Sequence, residues 1–149
     1  MTGWWVALAT LALGTVIGVV RLRRDGRVRD TDGDRLSEVD LGARLGERAT
    51  LVQFSTAFCQ PCRATRRILS DVSGLVPGVS HVEIDAESRL DLVRRLDIMR
   101  TPTVLVLDTG GRIVKKAAGQ PRKADVLAAL AAAVPPAPSQ ESSHQPDEM

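Results

Sequence analysis

Cys59 and Cys62 are the two cysteines of this 149-residue chain, and they stand three apart in Cys59-Gln60-Pro61-Cys62. Thiol–disulfide exchange needs one thiolate and a second thiol able to close a ring onto it. The pattern around the pair places it where a strand passes through a loop into a helix. Unpaired backbone N–H groups and the helix dipole at that point favour a negative charge on the first sulfur. The second cysteine, three residues on, falls on the same helical face one turn deeper. Pro61 has no N–H to lose in a first turn and stiffens it. In this setting Cys59 attacks a substrate disulfide, a mixed disulfide forms, and Cys62 resolves it, leaving the pair oxidised. A lone CxxC also fits half a zinc site or two inert buried thiols. Structural zinc sites almost always take four ligands. The histidines here are His81, which reads as a surface residue at a strand start, and His144 in a polar tail.

Two cysteines cannot supply the several bridges of a disulfide-stapled secreted fold. A formal net charge of +2 gives no footing for a nucleic-acid partner.

The elements that must hold the pair follow from the hydrophobic pattern. Val39 to Leu45 fits a short amphipathic helix, and Leu51 to Phe54 a strand. Pro61 to Leu75 fits a helix, with proline in its first turn and Gly74 near its end. Val79 to Ile84 reads as a second strand, and Leu90 to Leu96 as a helix with a charged outer face. Val104 to Leu107 is continuously apolar, the mark of a strand buried on both sides. Asp108-Thr109-Gly110-Gly111 reads as a hairpin turn into an edge strand from Arg112 to Ala118. An Ala-rich helix fits Arg122 to Val134. The domain order is thus α, β, α, β, α, β, β, α over residues 36–134. Leu51, Val52, Phe54, Val104 and Val106 are core candidates, and Arg63, Arg66 and Arg67 a solvated helix face. Residues 135–149 are rich in Pro, Ser and Gln without apolar period, and read as a disordered tail.

The N-terminal segment is of another kind. No charge occurs from Trp4 to Val20, 17 residues that as a helix rise about 25 Å. Trp4 and Trp5 suit one membrane interface, and Arg21, Arg23 and Arg24 can snorkel at the other. A cleavable signal peptide carries its positive charge before the apolar run, whereas here the arginines follow it. Residues 1–24 therefore read as an uncleaved transmembrane anchor with a basic flank, and residues 25–35 as a polar linker. Arg21, Arg23, Arg24, Arg27 and Arg29 all lie on the C-terminal flank, so the positive-inside rule places the domain on the cytoplasmic side of the cell membrane.

A family resemblance rests on several of these segments together. Thr50-Leu51-Val52-Gln53-Phe54 followed by Phe58-Cys59-Gln60-Pro61-Cys62-Arg63 resembles the strand and active-site loop of thioredoxins. Val82-Glu83-Ile84-Asp85 is similar to their next strand, Thr101-Pro102-Thr103 to their cis-proline loop, and Ala118-Gly119 to the end of their last strand. The resemblance spans Leu36 to Val134. It implies an α/β thioredoxin fold, a central mixed sheet flanked by helices, here preceded by one transmembrane helix. It implies a cis Pro102 against the cysteine pair, a Thr101 backbone offering strand-like hydrogen bonds to a substrate, and a docking surface that includes Phe58, Gln60 and Pro61. It also implies protein disulfide substrates, an upstream thiol reductant, and no metal or organic cofactor. The simplest state is a monomer held by one helix.

The chain departs from the thioredoxin pattern at three places. Phe58 stands where tryptophan is usual, so a ring is kept and an indole donor lost. Gln60-Pro61 replaces Gly-Pro. Gln53 replaces a buried aspartate that helps deprotonate the resolving cysteine, and an amide cannot accept that proton. Glu83 is the candidate to stand in for the missing carboxylate, with a solvated surface position as its alternative. These readings give a membrane-tethered thiol:disulfide oxidoreductase, working as a reductase. The alternative is a redox-sensing or client-binding module with poor turnover.

Overall fold

A computed structural model describes residues 2–24, 28–30 and 34–134. Helix α1 (Thr2–Arg24) leads to strand β1 (Val28–Asp30) and to helix α2 (Glu38–Leu41). Strand β2 (Ala49–Ser55), helix α3 (Gln60–Leu75), strand β3 (Val79–Asp85) and helix α4 (Leu90–Arg95) follow. Strands β4 (Thr103–Leu107) and β5 (Ile113–Ala118) and helix α5 (Lys123–Ala133) complete the order. The strands form one mixed sheet in the order β1-β5-β4-β2-β3. β2 and β3 run parallel, and the other neighbours are antiparallel.

The sheet has a core on each side. Val52, Phe54, Leu105 and Leu107 pack with Leu36, Leu41, Leu92 and Leu96 on the face that carries α2 and α4. Leu51, Val104 and Val106 pack with Leu69, Val72, Val126 and Leu130 on the face that carries α3 and α5. Every residue of β2 and β4 is buried, as the unbroken apolar run in β4 requires. The five expected core residues all lie here. On α3 the buried residues Cys62, Thr65, Leu69 and Val72 recur at helical spacing, so the helix that starts at the cysteines is clamped along its length.

Two expectations fail at the β5 edge. The stretch read as a linker contains β1, which pairs Val28 with Ala117 and Asp30 with Lys115. β5 is therefore an inner strand rather than an edge. Three residues with no apolar alternation carry no strand signal; the partner supplies the structure. The first domain helix is also shorter than expected. Ser37 and Asp40 form a capping box, with Asp40 N donating to Ser37 Oγ (3.2 Å) and Ser37 N to Asp40 Oδ2 (2.9 Å). Gly42, at φ 65°, then ends the helix in the left-handed conformation. The Ser37 backbone and hydroxyl bonds, with Arg95, hold the Asp40 pKa at about 2. Residues 135–149, expected to be disordered, lie outside the described residues.

Helix α1 is longer than its uncharged run. Its 23 residues rise about 35 Å, enough for a hydrocarbon core of roughly 30 Å. Gly3–Arg23 is apolar and long enough to cross a membrane, and none of it is buried among the described residues.

Candidate functional site

The site lies where β2 ends and α3 begins. Cys59 is the N-cap of α3, with extended backbone (φ −90°, ψ 104°), and Pro61 follows in the first turn. Cys59 and Cys62 are joined in a disulfide with a Cα–Cα separation of 5.2 Å. The two sulfurs differ in setting. Cys59 is half-buried, whereas Cys62 is only 2% exposed. Cys62 N donates to Cys59 Sγ at 3.2 Å, so an otherwise orphaned helix N–H points at the outer sulfur. On reduction that donor and the helix dipole favour a negative Cys59 sulfur.

Phe58, beside the pair, is 98% exposed, and Gln60 and Pro61 are exposed too. The cis peptide bond between Thr101 and Pro102 lies just before β4. Pro102 is buried and Thr101 partly so. Thr56 Oγ1 and Thr101 Oγ1 are 3.4 Å apart, tying the cysteine loop to the proline loop. Gly119 N donates to Pro102 O at 2.7 Å and closes that loop against the end of β5. The expected cis Pro102 is thus found, and Thr56 and Thr101, 45 positions apart in sequence, meet on one rim.

Beneath the pair lies Gln53, fully buried on β2. Its Nε2 donates to the Cys62 carbonyl at 2.9 Å. A carbonyl can only accept, so the amide nitrogen must face Cys62 O and the amide oxygen must turn elsewhere. That oxygen, Oε1, is buried without a hydrogen-bond partner, an arrangement that costs about 1–3 kcal/mol.

Glu83 is the register partner of Gln53 on β3, but it faces other groups. Arg66 on α3 donates to it twice, Nε to Oε2 at 2.6 Å and Nη2 to Oε1 at 2.7 Å. Ser55 Oγ donates to Oε1 at 2.5 Å. The Arg66 hydrogen bonds hold the Glu83 pKa below the usual carboxylate range, with Ser55 adding to this against the opposing effect of burial. A carboxylate stabilised in its charged form is a weakened base. Its hydrogen bonds go to Arg66 and Ser55 rather than to either cysteine. Arg66 is therefore an ion-pair partner and not simply part of a solvated face. His81 departs from its expected surface position as well. It is partly buried, its Nε2 has no partner, and burial lowers its pKa.

Sequence reasoning missed three features: the Gln53 bond to Cys62, the Arg66–Glu83 pair and the Thr56–Thr101 contact. All three join groups on different elements or loops, and no spacing within one element signals them. Among the described residues, no group of three or more His, Cys, Asp or Glu side chains could hold a metal ion.

A mixed sheet between two helical layers, with a CxxC disulfide at a helix N-terminus opposite a cis-proline, defines a thioredoxin-like domain. The thioredoxin family model matches residues 39–133, and the chain belongs to that family. Thioredoxin H4-1 of Oryza sativa is 31% identical over 85 residues, covering 56% of this chain and 65% of the rice protein. A Staphylococcus epidermidis thioredoxin is 26% identical over 103 residues, 67% of this chain and 93% of that protein. Some curated relatives are matched over less of their length, such as 50% of Thioredoxin-2 of Pyricularia oryzae. Among solved structures, a Halobacterium salinarum thioredoxin mutant superposes with a TM-score of 0.56 at 15% identity, covering 62% of this chain and 80% of the other. A Nicotiana alata thioredoxin gives 0.53 at 21% identity, covering 60% and 76%. These two likenesses establish the fold.

Proposed function

We propose that this chain is a membrane-tethered thiol:disulfide oxidoreductase that reduces protein disulfides through Cys59 and Cys62. The observation that carries this reading is the asymmetric pair: a reachable sulfur capped by a helix N–H, bonded to a buried one. Cys59 attacks the client disulfide and Cys62 resolves the mixed disulfide. The exposed Phe58, Gln60 and Pro61 and the Thr101–Pro102 loop receive the client segment. An upstream thiol reductant returns the pair to the dithiol, and no metal or organic cofactor takes part. The working unit is a monomer.

Anchoring rests on α1, whose apolar side chains are bare, and the arginines at and just beyond its C-terminal end support a cytoplasmic domain. Reduction of insulin disulfides by the detergent-solubilised chain with a thiol reductant tests the chemistry. Turnover lost in Cys59→Ser is the expected result; equal turnover in the variant would defeat the reading. Labelling of Cys59 by an impermeant thiol reagent in intact reduced cells would reverse the orientation.

A second reading, a client-binding or redox-sensing module with slow turnover, is favoured by one feature. The buried position over Cys62 is held by an amide, and the neighbouring Glu83 is engaged by Arg66. Efficient multiple turnover of insulin would exclude it.

A further inference from the structure

The unpaired Oε1 of Gln53 is a buried acceptor on a residue fastened to Cys62 by its own Nε2 bond. In the disulfide, Cys62 has no proton to offer. In the dithiol it gains an S–H in a place only 2% exposed, and a buried donor needs an acceptor. We infer that Gln53 is a positioning residue whose amide oxygen takes the Cys62 S–H in the reduced protein, holding the resolving thiol neutral and prolonging the mixed disulfide with a client. This rests on the exchange chemistry proposed above and concerns its second step.

The balance of that step shows where the amide acts. The Cys59 thiolate attacks a client disulfide, forming the Cys59–client bond and releasing one client thiolate. Cys62 must then lose its proton, which passes to water. Its thiolate attacks Cys59 Sγ, the Cys59–client bond breaks, and the second client sulfur leaves as a thiolate that is protonated from water. Two electrons pass from the dithiol to the client, and Cys59–Cys62 is left oxidised. A hydrogen bond accepted from the neutral thiol favours that form over the thiolate.

The other groups around Cys62 do not replace this control. β2 and β4 contain no titratable residue. On α3, Arg63 is exposed and Arg66 is paired with Glu83. On β3, Glu83 is held by Arg66 and Ser55, and His81 is biased toward its neutral form. Arg100 lies in the loop before Pro102.

The test uses the full chain in detergent, reduced, mixed rapidly with a chromogenic aromatic disulfide. The first equivalent of coloured thiolate reports attack by Cys59, and the second reports resolution by Cys62. Gln53→Met keeps the volume and removes the acceptor. The second phase is expected to quicken about threefold at neutral pH, with its pH midpoint displaced downward by about half a unit, and the first phase to stay unchanged. A second phase that is unchanged or slower, beside an intact first phase, would overturn the inference. Gln53→Leu provides an independent apolar replacement and should shift the midpoint in the same direction; a midpoint that stays in place in both variants refutes the role. Absence of both phases in the unsubstituted protein would instead defeat the exchange reading itself.

Discussion

Helices α1 and α3 are built from opposite distributions of the same kinds of residue. On α3 the apolar side chains gather on one stripe, and Leu69 and Val72 are fully buried against the sheet. The opposite face carries Arg63, Arg66 and Arg67. On α1, Trp4, Trp5, Leu11, Leu13 and Val16 are all exposed, and the apolar surface runs around the helix. A helix apolar all round needs an apolar surrounding, and the described residues supply none for α1. The difference separates the two tasks. α3 is held by protein so that its first turn can position two sulfurs; α1 is long and apolar enough to cross a membrane.

The sharpest way to break this division is to damage each helix and read both outputs. Cys59→Ser should remove disulfide exchange, a loss of roughly a thousandfold or more, and leave membrane recovery unchanged. Leu11→Arg with Leu13→Arg should do the reverse. Each arginine near the middle of a span costs about 2.5–3.5 kcal/mol, so the protein should move from the membrane pellet to the soluble fraction while retaining exchange activity. Exchange lost with the α1 double variant would join the two regions again.

Leu69→Ala tests the clamp beneath the site. A leucine of zero exposure truncated in a packed core should cost about 2–5 kcal/mol, read as a lower urea midpoint. The same truncation at exposed Leu13 on α1 should leave the domain midpoint in place.

Acid should act on the domain and spare α1, which has no carboxylate. The pKa values of Asp40 and Glu83 are lowered in the fold. Their stabilisation is therefore fully present above the unfolded carboxylate range of about 4. It declines as pH falls through the folded values, reaching about 2 for Asp40. Urea midpoints should fall between about pH 4 and 2, and by less in Glu83→Gln, since its contribution is already absent.

The sequence made the domain elements legible where a single element carried its own signal. The apolar run at β4, the stripe on α3 and the Asp108–Gly111 turn needed no partner to be recognised. The strand β1 was hidden because Val28-Arg29-Asp30 has no alternation and exists through pairing with β5. Ser37 and Asp40 held the spacing of a capping box, and Gly42 the stop, so the length of α2 could have been read more closely. At the site, the cysteines and Pro102 were legible from their order. The partners of Gln53 and Glu83 were not. Register puts the two residues side by side, yet one amide reaches the Cys62 carbonyl and the carboxylate turns to Arg66. That choice is made by packing between α3 and the sheet, which no one-dimensional pattern records.

A redox titration of the full chain in detergent, with free thiols counted by mass after alkylation, tests the exchange chemistry most directly. One cooperative two-electron transition, in which Cys59 and Cys62 become oxidised together near the −270 mV typical of thioredoxin, is expected of a reductase. Two thiols that remain free at every potential would contradict it.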